Sequence, residues 1–281
     1  MSAPSHPLAR PRPVALVTGA ARRIGRVIAL DLARHGWDVA LHCRGDAPSL
    51  ADAQTTADEA RALGAIARVL PADLADEAAC EALVPAAVAA LGRLDAVVNN
   101  ASLFEYDSVA TFSARLLDRA SRSNTVPAVL LARALHAHRL ASAAAQDDIR
   151  PACVVNVLDQ KLVNHNPDYF SYTLSKAALA EATVMLAMAL APQVRVCGVS
   201  PGVTLVSGPM DEAEFEAAHR LTPLQRSSTP DDIARTVRFL LESPAITGHT
   251  LLVDGGQHLL GQPRDVLFLA QQRLAADPKE H

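Results

Sequence analysis

A tyrosine and a lysine lie four residues apart, at Tyr172 and Lys176, in a window over 169–191 that contains no proline or glycine. The strong helix formers of this window predict a helix, on which residues four apart share a face. A lysine ammonium favours the ionised form of a neighbouring phenol, whose ordinary pKa is about 10, so the pair could move a proton near neutral pH. An ordinary amphipathic helix would also carry such a pair, and the rest of the chain has to distinguish the two interpretations.

Short apolar runs alternate with longer helical patterns along most of the chain. Strands are predicted at 14–17, 37–42, 66–70, 95–98, 152–157, 194–199 and 250–253. Helices are predicted at 24–35, 49–63, 76–91, 112 to about 145 with a joint near 124–127, 169–191 and 230–241. This alternation indicates βαβ units and a parallel sheet. Because no change of composition marks a linker, residues 13–262 are predicted to form one α/β domain, a doubly wound Rossmann-type fold with a parallel sheet of about seven strands flanked by helices.

Both ends of the chain are predicted to lie outside this domain. Residues 1–12 are rich in proline and lack the apolar core of a signal peptide, so we expect a disordered leader. No apolar run is long enough to span a bilayer, which predicts a soluble cytoplasmic protein. Residues 263–281 are predicted to be a helical tail, because they carry an apolar stripe formed by Val266, Leu267, Ala270 and Leu274.

Composition and charge argue against several classes of partner. Half of the residues are hydrophobic and a fifth are charged, which suits a soluble globule with a large core. The formal net charge of -4 gives no electrostatic footprint for nucleic acid or for an anionic membrane. The four cysteines are scattered, which fits a reducing compartment. His136 and His138 stand two apart and would face different ways on a helix, so no catalytic metal is expected.

The turn after the first predicted strand has features of a dinucleotide-binding loop. Gly19 permits a tight turn, Gly25 permits close approach of helix and strand, and the N–H groups from Ile24 onward can bind a pyrophosphate. Arg22 and Arg23 add two cations, and Arg23 occupies a position that is glycine in many such loops. A plain strand-to-helix turn would account for the same residues.

The end of the second strand indicates which nucleotide is bound. An acid there would hold the ribose diol of NAD, whereas a base accepts the extra phosphate of NADP. Here His42 and Arg44 precede the first acid, Asp46, and Arg22 is nearby. This arrangement favours NADP(H), although Arg44 could also be a solvated surface residue.

Two further strand ends are expected at the same edge of the sheet. Asp73 and Leu74 follow the third strand, where Asp73 could hydrogen-bond an adenine or simply start a helix. Asn99 and Asn100 close the fourth strand at the edge where open α/β sheets bind ligands, and turn formation is the alternative for both.

Four motifs in register resemble the short-chain dehydrogenase/reductase superfamily. They are TGxxxxxG after the first strand, NNA after the fourth, YxxxK on a helix, and Ser200-Pro201-Gly202 after the sixth. Their order and spacing agree from about Pro13 to His258, and four motifs together are far more specific than one glycine-rich loop. The resemblance implies a mobile lid over 203–222, within which a short helix begins near Asp211. It also implies assembly as a homotetramer.

A closer resemblance is to the pteridine reductase branch of that superfamily. That branch carries arginine at the central glycine position, matched by Arg23, and NNAS followed by an aromatic, matched by Asn99 to Phe104. It also replaces the superfamily's catalytic serine by aspartate, and Asp159 stands at that place, thirteen residues before Tyr172. Asn124 matches the superfamily's helix asparagine, which helps to hold the lysine.

The resemblance implies a role for each matching residue. Tyr172 would donate a proton, Lys176 would tune it and hold the cofactor ribose, and Asp159 would assist protonation of a ring nitrogen. Phe104 would stack a flat pterin against the nicotinamide, unless it merely packs under its loop. Cofactor contacts are expected from Gly19, Arg22, Arg23, Ile24, Gly25, His42, Arg44, Asp73, Leu74, Asn99, Ala101, Ser102, Asn124, Tyr172, Lys176, Pro201 and Gly202. Substrate contacts are expected from Arg23, Ser102, Phe104, Asp159 and Tyr172.

Together these residues predict NADPH-dependent reduction of a pterin or folate-like ring, dihydropterin to tetrahydropterin in type. Burial would raise the pKa of the Asp159 carboxyl and Lys176 would lower it, so the sequence leaves the sign open. A carbonyl or 3-oxoacyl-thioester reductase is the first alternative, against which Asp159 in place of serine argues. A nucleotide-binding scaffold without turnover is the second, with Asp159 as a turn or cap acid.

Overall fold

Seven strands form one parallel sheet within the described part of the chain. The computed structural model describes residues 12–142, 151–206 and 208–276. The strand order is β3-β2-β1-β4-β5-β6-β7, and every neighbouring pair is parallel. The strands are β1 Val14–Val17, β2 Asp38–Cys43, β3 Ala67–Pro71, β4 Ala96–Asn99, β5 Ala152–Val157, β6 Val194–Pro201 and β7 Thr250–Val253. The predicted α/β architecture is therefore confirmed.

Helices cover both faces of the sheet, which explains why its central strands are apolar at every position. Alternate residues of one strand join different cores: Val17 packs with Ile28 and Ile233, whereas Leu16 packs with Leu83 and other residues of the opposite face. The helices are α1 Arg23–Arg34, α2 Ala47–Ala62, α3 Glu77–Leu91, α4 Ala114–Asn124, α5 Val126–Ser142, α6 Phe170–Ala189, α7 Glu212–Arg220, α8 Pro230–Glu242 and α9 Val266–Ala276.

Local capping explains where the helices differ from the predicted bounds. The helix predicted from 49 begins at Ala47, because the Asp46 carboxylate accepts a hydrogen bond from Ser49 N at 2.9 Å. The long helical region predicted from 112 starts after the Ser113 cap and divides at Thr125 into α4 and α5, and its last residues, 143–145, lie outside the described residues. The short helix predicted near Asp211 is α7, which begins with a full capping box.

The chain order of the strands reverses between β1 and β4. β1 is flanked by β2 on one side and by β4 on the other, so the crossovers leave the sheet in opposite directions there. Such a switch point opens a crevice at the carboxyl ends of the strands. The residues that end these strands are therefore brought to one edge of the molecule.

The two ends of the described chain are both anchored to the body. The Arg12 guanidinium donates hydrogen bonds to the carbonyls of Ala33, Trp37 and Gly64, so the last residue of the predicted leader is held. Residues 1–11 and 277–281 lie outside the described residues. The apolar stripe of the predicted tail lies in α9, which packs against α7. None of the described helices combines the length and apolar character needed to cross a membrane.

Candidate active site

The glycine loop between β1 and α1 is too tight for a side chain at two of its positions. A Cβ on Gly25 would lie 2.3 Å from Gly19 O and 2.5 Å from Asn100 Nδ2. Gly19 has a φ of 63°, in the left-handed region that favours glycine. Asn100 Nδ2 donates to Thr18 O at 2.9 Å and fastens the loop to the end of β4. The loop is therefore fixed with its N–H groups at the start of α1, as the sequence predicted for a pyrophosphate site.

Arg23 adopts the backbone conformation of the glycine that it replaces. Its φ of 56° is uncommon for a residue with a Cβ and costs of order 1–3 kcal/mol. The guanidinium donates to Val206 O at 2.9 Å, which joins the glycine loop to the predicted lid. Arg22 precedes the helix with an exposed side chain, 3.7 Å from the Asp52 carboxylate. Both cations line the same cavity. The mobility of the lid stays a prediction.

His42 positions the glycine loop from the end of β2. Its Nδ1 accepts a hydrogen bond from Gly19 N at 3.1 Å, so Nε2 carries the proton and donates to Ala72 O at 3.0 Å. Burial lowers the pKa of His42 and thereby favours this neutral form. Since a protonated ring could not accept from Gly19, the neutral imidazole is part of the loop's structure.

Arg44 lies at the mouth of the cavity as an exposed cation. Three-quarters of its side chain is accessible, and it pairs with the Asp46 carboxylate at 2.5 Å. The hydrogen bond from Ser49 N, followed by that from Arg44, lowers the pKa of Asp46 to about 2. Asp46 therefore stays ionised and aims the guanidinium, which lines the cavity beside His42.

Most of the predicted residues at the strand ends line the cavity, and one of them does not. Asp73, Leu74, Ala101, Ser102, Pro201 and Gly202 line it. Asn99 does not, because it is buried and its side chain donates to Asn156. Asn100 occupies the expected place instead, and the NNA motif contained the signal for it.

Asn124 also lies outside the cavity lining. It accepts from Leu103 N at 2.7 Å and donates to Leu103 O and Ser175 Oγ. These bonds tie the loop after β4 to α6, and Ser102 Oγ donates to Asn124 as well. The residue joins these two parts of the site, and a cofactor contact from its side chain stays a prediction.

Tyr172 and Lys176 lie one turn apart on α6 and face the cavity, as their spacing predicted. Both are almost fully buried. Lys176 Nζ donates to Val157 O at 2.7 Å and lies 5.9 Å from the centre of the Tyr172 ring. The end of β5 therefore fixes the ammonium beside the phenol.

The structure corrects the expected effect of the lysine on the tyrosine. Burial raises the pKa of Tyr172 well above its ordinary value, and the charge and hydrogen bond of Asp159 raise it further. Burial also lowers the pKa of Lys176 to about 8. The expectation of a more acidic phenol is wrong because desolvation disfavours both charged forms. Tyr172 is kept protonated, which suits a proton donor.

Asp159 points into the cavity and contacts the tyrosine. Tyr172 Oη donates to Asp159 Oδ2 at 2.8 Å, while Asp159 Oδ1 accepts from Lys161 N at 2.9 Å and caps the short helix Gln160–Leu162. The acid is therefore both a cap and a member of the site. Burial raises its pKa against the opposing hydrogen bonds and the Lys161 charge, which answers the question of sign that the sequence left open.

An exposed aromatic face lies next to the hydrogen-bonded pair of Tyr172 and Asp159. The Phe104 ring stacks on Tyr169 with centroids 4.3 Å apart and meets Tyr172 edge-on at 4.8 Å. Phe104 remains 40% exposed and lines the cavity, so it is not merely packed under its loop. Tyr169 has a φ of 51° at the start of α6. Its part in the ring stack was missed, because nothing local in the sequence marks it.

Apart from Asn99 and Asn124, these groups surround one cavity of about 780 Å³ at the carboxyl edge of the sheet. It is lined by the glycine loop, by the ends of β2 and β3, and by Asp159, Tyr172 and Lys176. Lys161 and Asp265 also line it and were not predicted. Across the described residues, no group of three or more histidines, cysteines and acids is arranged to hold a metal ion.

Comparisons with known proteins agree with this geometry. A family model described as enoyl-(acyl carrier protein) reductase matches residues 19–258. The chain is 32% identical to pteridine reductase 1 of Leishmania tarentolae over 88% of this chain and 96% of the relative. It is 30% identical to the 3-oxoacyl-[acyl-carrier-protein] reductase FabG of Staphylococcus aureus over 87% of this chain and 98% of the relative.

A solved structure is also similar over most of the chain. The FolM alternative dihydrofolate reductase 1 of Brucella canis, in complex with NADP, superposes with a TM-score of 0.78 and 40% identity, covering 88% of this chain and 95% of that one.

Fold, cavity and relatives define one class of protein, an oxidoreductase built on a dinucleotide-binding sheet. Within that class the chain belongs to the short-chain dehydrogenase/reductase family, and its resemblance to the pteridine reductase branch is confirmed.

Proposed function

We propose that this protein catalyses the NADPH-dependent reduction of a pterin or folate-like ring. The observation that carries the proposal is the 2.8 Å hydrogen bond between Tyr172 and Asp159, at a place where a carbonyl reductase needs only a neutral hydroxyl. Two relatives support it by their names, a pteridine reductase and an alternative dihydrofolate reductase in complex with NADP.

The residues of the cavity fit an NADP-type dinucleotide. The narrow cradle at Gly25 would be filled by a Cβ, and the N–H groups at the start of α1 beside Arg22 suit a pyrophosphate. Arg44 would bind the 2′-phosphate, and Lys176 would hold the nicotinamide ribose. When bound, NADPH supplies the hydride of the reaction.

The protein's own contribution is to deliver a proton to the ring nitrogen. A C=N bond that receives hydride at carbon needs a proton at nitrogen, and general acids typically contribute 10²–10⁴-fold to such steps. Tyr172 Oη is the donor, and Asp159, whose pKa is raised by burial, shares or replaces that proton. Lys176 holds its place through Val157 O and keeps the donor beside the ribose site.

The flat face of Phe104 favours a planar substrate. Its ring is supported from behind by Tyr169, so it is held rigidly at the edge of the donor pair. Stacking on such a surface is favourable for an aromatic or partly aromatic ring and offers little to an acyl chain. Arg23 and Ser102 line the same part of the cavity and would contact the ring's polar edge.

Reduction of a carbonyl or a 3-oxoacyl thioester is the second candidate. It is favoured by the similarity to FabG and by the description of the matching family model. A scaffold without turnover is the third, but the Asp159–Tyr172–Lys176 set argues against it.

The test is NADPH consumption with dihydrobiopterin, dihydrofolate, dihydromonapterin, a 3-oxoacyl thioester and a quinone. We expect turnover of at least one dihydropterin with a kcat/KM well above that of the thioester. Turnover of the thioester alone would assign the chain to the second candidate. Binding of NADPH without any reaction would favour the scaffold.

Asp159→Ser tests the residue on which the proposal depends. Because serine cannot supply a carboxyl proton, we expect kcat for the dihydropterin to fall by about 100-fold or more, while activity on the quinone is kept or increased. Asp58→Ser on the exposed face of α2 is the matched control and should change neither rate. Equal losses on all substrates in Asp159→Ser would mean that the acid only caps its turn.

A further inference from the structure

The C-terminal segment from Arg264 onward is fixed to the wall of the active site. The Arg264 guanidinium donates two hydrogen bonds, at 2.9 and 3.0 Å, to the Asp168 carboxylate just before α6. Asp265 N donates to the same carboxylate at 2.7 Å. Asp168 is only 3% exposed, whereas the Arg264 side chain is 40% exposed, so the attachment is buried on its Asp168 side. It places the next side chain, that of Asp265, in the cavity lining.

Asp265 presents a carboxylate oxygen to a buried lysine. Its Oδ2 lies 3.5 Å from Lys161 Nζ, while Oδ1 accepts from Leu267 N and caps α9. Lys161 is 3% exposed and its Nζ also donates to Asp168 O at 2.5 Å. Two opposite charges therefore line the cavity next to the donor pair, one on the turn that carries Asp159 and one on the C-terminal segment.

These two charges act on Asp159 and Tyr172 in opposite directions. After burial and its hydrogen bonds, the pKa of Asp159 is lowered by Lys161 and raised by Asp265. Asp265 also adds to the raised pKa of Tyr172, after burial and Asp159. The charged and titratable side chains around the pair are Lys161, Asp168, Tyr169, Lys176, Arg264 and Asp265. Asp107 accepts hydrogen bonds from Ser171 on the neighbouring turn of α6.

Direct bonds hold the other charged groups around the pair in place. Asp168 is paired with Arg264, and Lys176 Nζ donates to the carbonyl oxygen of Val157. Lys161 and Asp265 form an ion pair, with 3.5 Å between Nζ and Oδ2, and both of its members line the cavity beside the donor pair. Substitution of either residue would therefore change the net charge beside Asp159 and Tyr172.

We propose that Lys161 and Asp265 are positioning residues of opposite charge that set the proton affinity of the Asp159–Tyr172 pair, with the C-terminal segment supplying the acidic member. The inference rests on the proposed reduction of a C=N bond. When the proton reaches the substrate nitrogen before the hydride reaches carbon, the C=N group becomes an iminium cation, which the Asp265 carboxylate stabilises. A carbonyl oxygen is far less basic and develops negative charge as the hydride arrives, which the same carboxylate disfavours. The acid on the C-terminal segment thereby selects for a C=N substrate.

The test compares Asp265→Asn with Lys161→Gln in the full-length chain. Asparagine can still cap α9 and glutamine can still donate toward Asp168 O, so each variant removes a charge and keeps a hydrogen-bonding group. Asp231→Asn, an exposed acid in the first turn of α8, is the control for a change of net charge. The readout is the pH profile of kcat/KM for the dihydropterin that the wild type reduces.

The two variants should shift the profile in opposite directions. Because the donor must be protonated, kcat/KM falls as pH rises through the apparent pKa of the pair. Removing the negative charge lowers that pKa, so Asp265→Asn should lose activity at a pH lower by roughly half a unit to one unit. Lys161→Gln should lose it at a pH higher by a similar amount. Shifts in one shared direction, or profiles that match Asp231→Asn, would overturn the inference.

A titration without turnover separates this inference from the proposed function. The carboxyl-carbon NMR signal of Asp159, assigned by its loss in Asp159→Asn, reports its pKa directly. We expect that pKa to be lower in Asp265→Asn and higher in Lys161→Gln than in the wild type. If the wild type reduces none of the dihydropterins, the proposed function is wrong, and the NMR titration by itself decides whether the charge pair acts. An unchanged signal in both variants would overturn the inference even in an active enzyme.

Discussion

Burial shifts the pKa values of individual side chains in this site. The direction of each shift decides which protonation state the folded protein favours. Tyr172 and Asp159 are both driven toward their protonated forms, and Lys176 toward its neutral form. Each shift has the sign that desolvation requires, since burial penalises whichever form is charged. Arg44 is the contrasting case: it stays in solvent, and its charge is available to a ligand at the cavity mouth.

Arg44→Gln tests the proposed preference for NADPH at the scale of one residue. A charge-assisted hydrogen bond to phosphate contributes about 1.5–3 kcal/mol, so we expect NADPH affinity to fall roughly 10- to 100-fold. NADH has no 2′-phosphate and its affinity should change less than about twofold. Calorimetric titration of both nucleotides measures the difference.

Arg68→Gln provides the control for this comparison, because Arg68 is exposed on β3 and does not line the cavity. It should leave both affinities unchanged. Equal losses for NADPH and NADH in Arg44→Gln would remove Arg44 from the phosphate site.

At the scale of elements, the conformation of the glycine loop before α1 is held by contacts from two neighbouring strands. The loop is held by Asn100 from β4 and by His42 from β2, so three neighbouring strands define one turn. Arg23 keeps a positive φ within it because its guanidinium is fastened to Val206 O. The elements therefore hold the glycine loop with its N–H groups at the start of α1.

Gly25→Ala should damage both the fold and the nucleotide site. The new Cβ would lie 2.3 Å from Gly19 O, which is backbone and cannot move away without shifting β1 from α1. We expect the free energy of unfolding to fall by about 1–3 kcal/mol or more. NADPH binding should weaken in the same variant. Urea unfolding and nucleotide titration provide the two measurements.

Gly261→Ala is the control for Gly25→Ala, because a Cβ at Gly261 would meet nothing within 4 Å. Its stability should stay within about 0.5 kcal/mol of the wild type. A Gly25→Ala protein with wild-type stability and affinity would show that the loop can open without cost.

At the scale of the whole molecule, the cavity is completed by parts from both ends of the sequence. The glycine loop lies near the start of the described chain, and Asp265 lies near its end. Between them the sheet brings the strand ends to one edge. The homotetramer expected from the family resemblance stays a prediction, as does the disordered leader. The burial of the Lys176 ammonium inside the domain also affects the free energy of unfolding of the whole fold.

Lys176 should make the stability of the ligand-free protein depend on pH. Its pKa of about 8 in the folded state lies below that of an unfolded lysine, about 10.4, so the folded chain loses its proton first. The cost of burying the ammonium is fully present below pH 8 and is relieved as pH rises toward the unfolded value. The free energy of unfolding of the wild type should therefore rise by about 2.5 kcal/mol between pH 7.5 and pH 10 relative to Lys176→Met.

Urea unfolding of both proteins at about pH 7.5 and pH 10 measures this difference. The methionine variant is itself the control, because it leaves Val157 O without its donor at either pH. The free energies of unfolding of the wild type and of Lys176→Met could differ by the same amount at both pH values. That result would mean that Lys176 is not desolvated in the folded state.

The sequence by itself determined the succession of strands and helices along the chain, the position of the glycine loop, and the candidates for the proton-donating residues. These features are local, because hydrophobic periodicity and short motifs are properties of neighbouring residues. The spacing of Tyr172 and Lys176 already placed them on one helix face, and Asp159 was marked by its distance from Tyr172. Capping moved the helix ends by a residue or two, which only side-chain geometry can show.

Only the tertiary structure decided how these groups act on one another. The sign of the Tyr172 shift was wrong from sequence because it depends on burial, to which distant segments contribute. Asn99 and Asn100 could not be told apart until the sheet assigned one to its interior and one to the cavity. Lys161 and Asp265, 104 residues apart in the chain, meet because a buried attachment at Asp168 holds the C-terminal segment there. Contacts between remote segments follow from packing of the whole chain, and no local pattern records them.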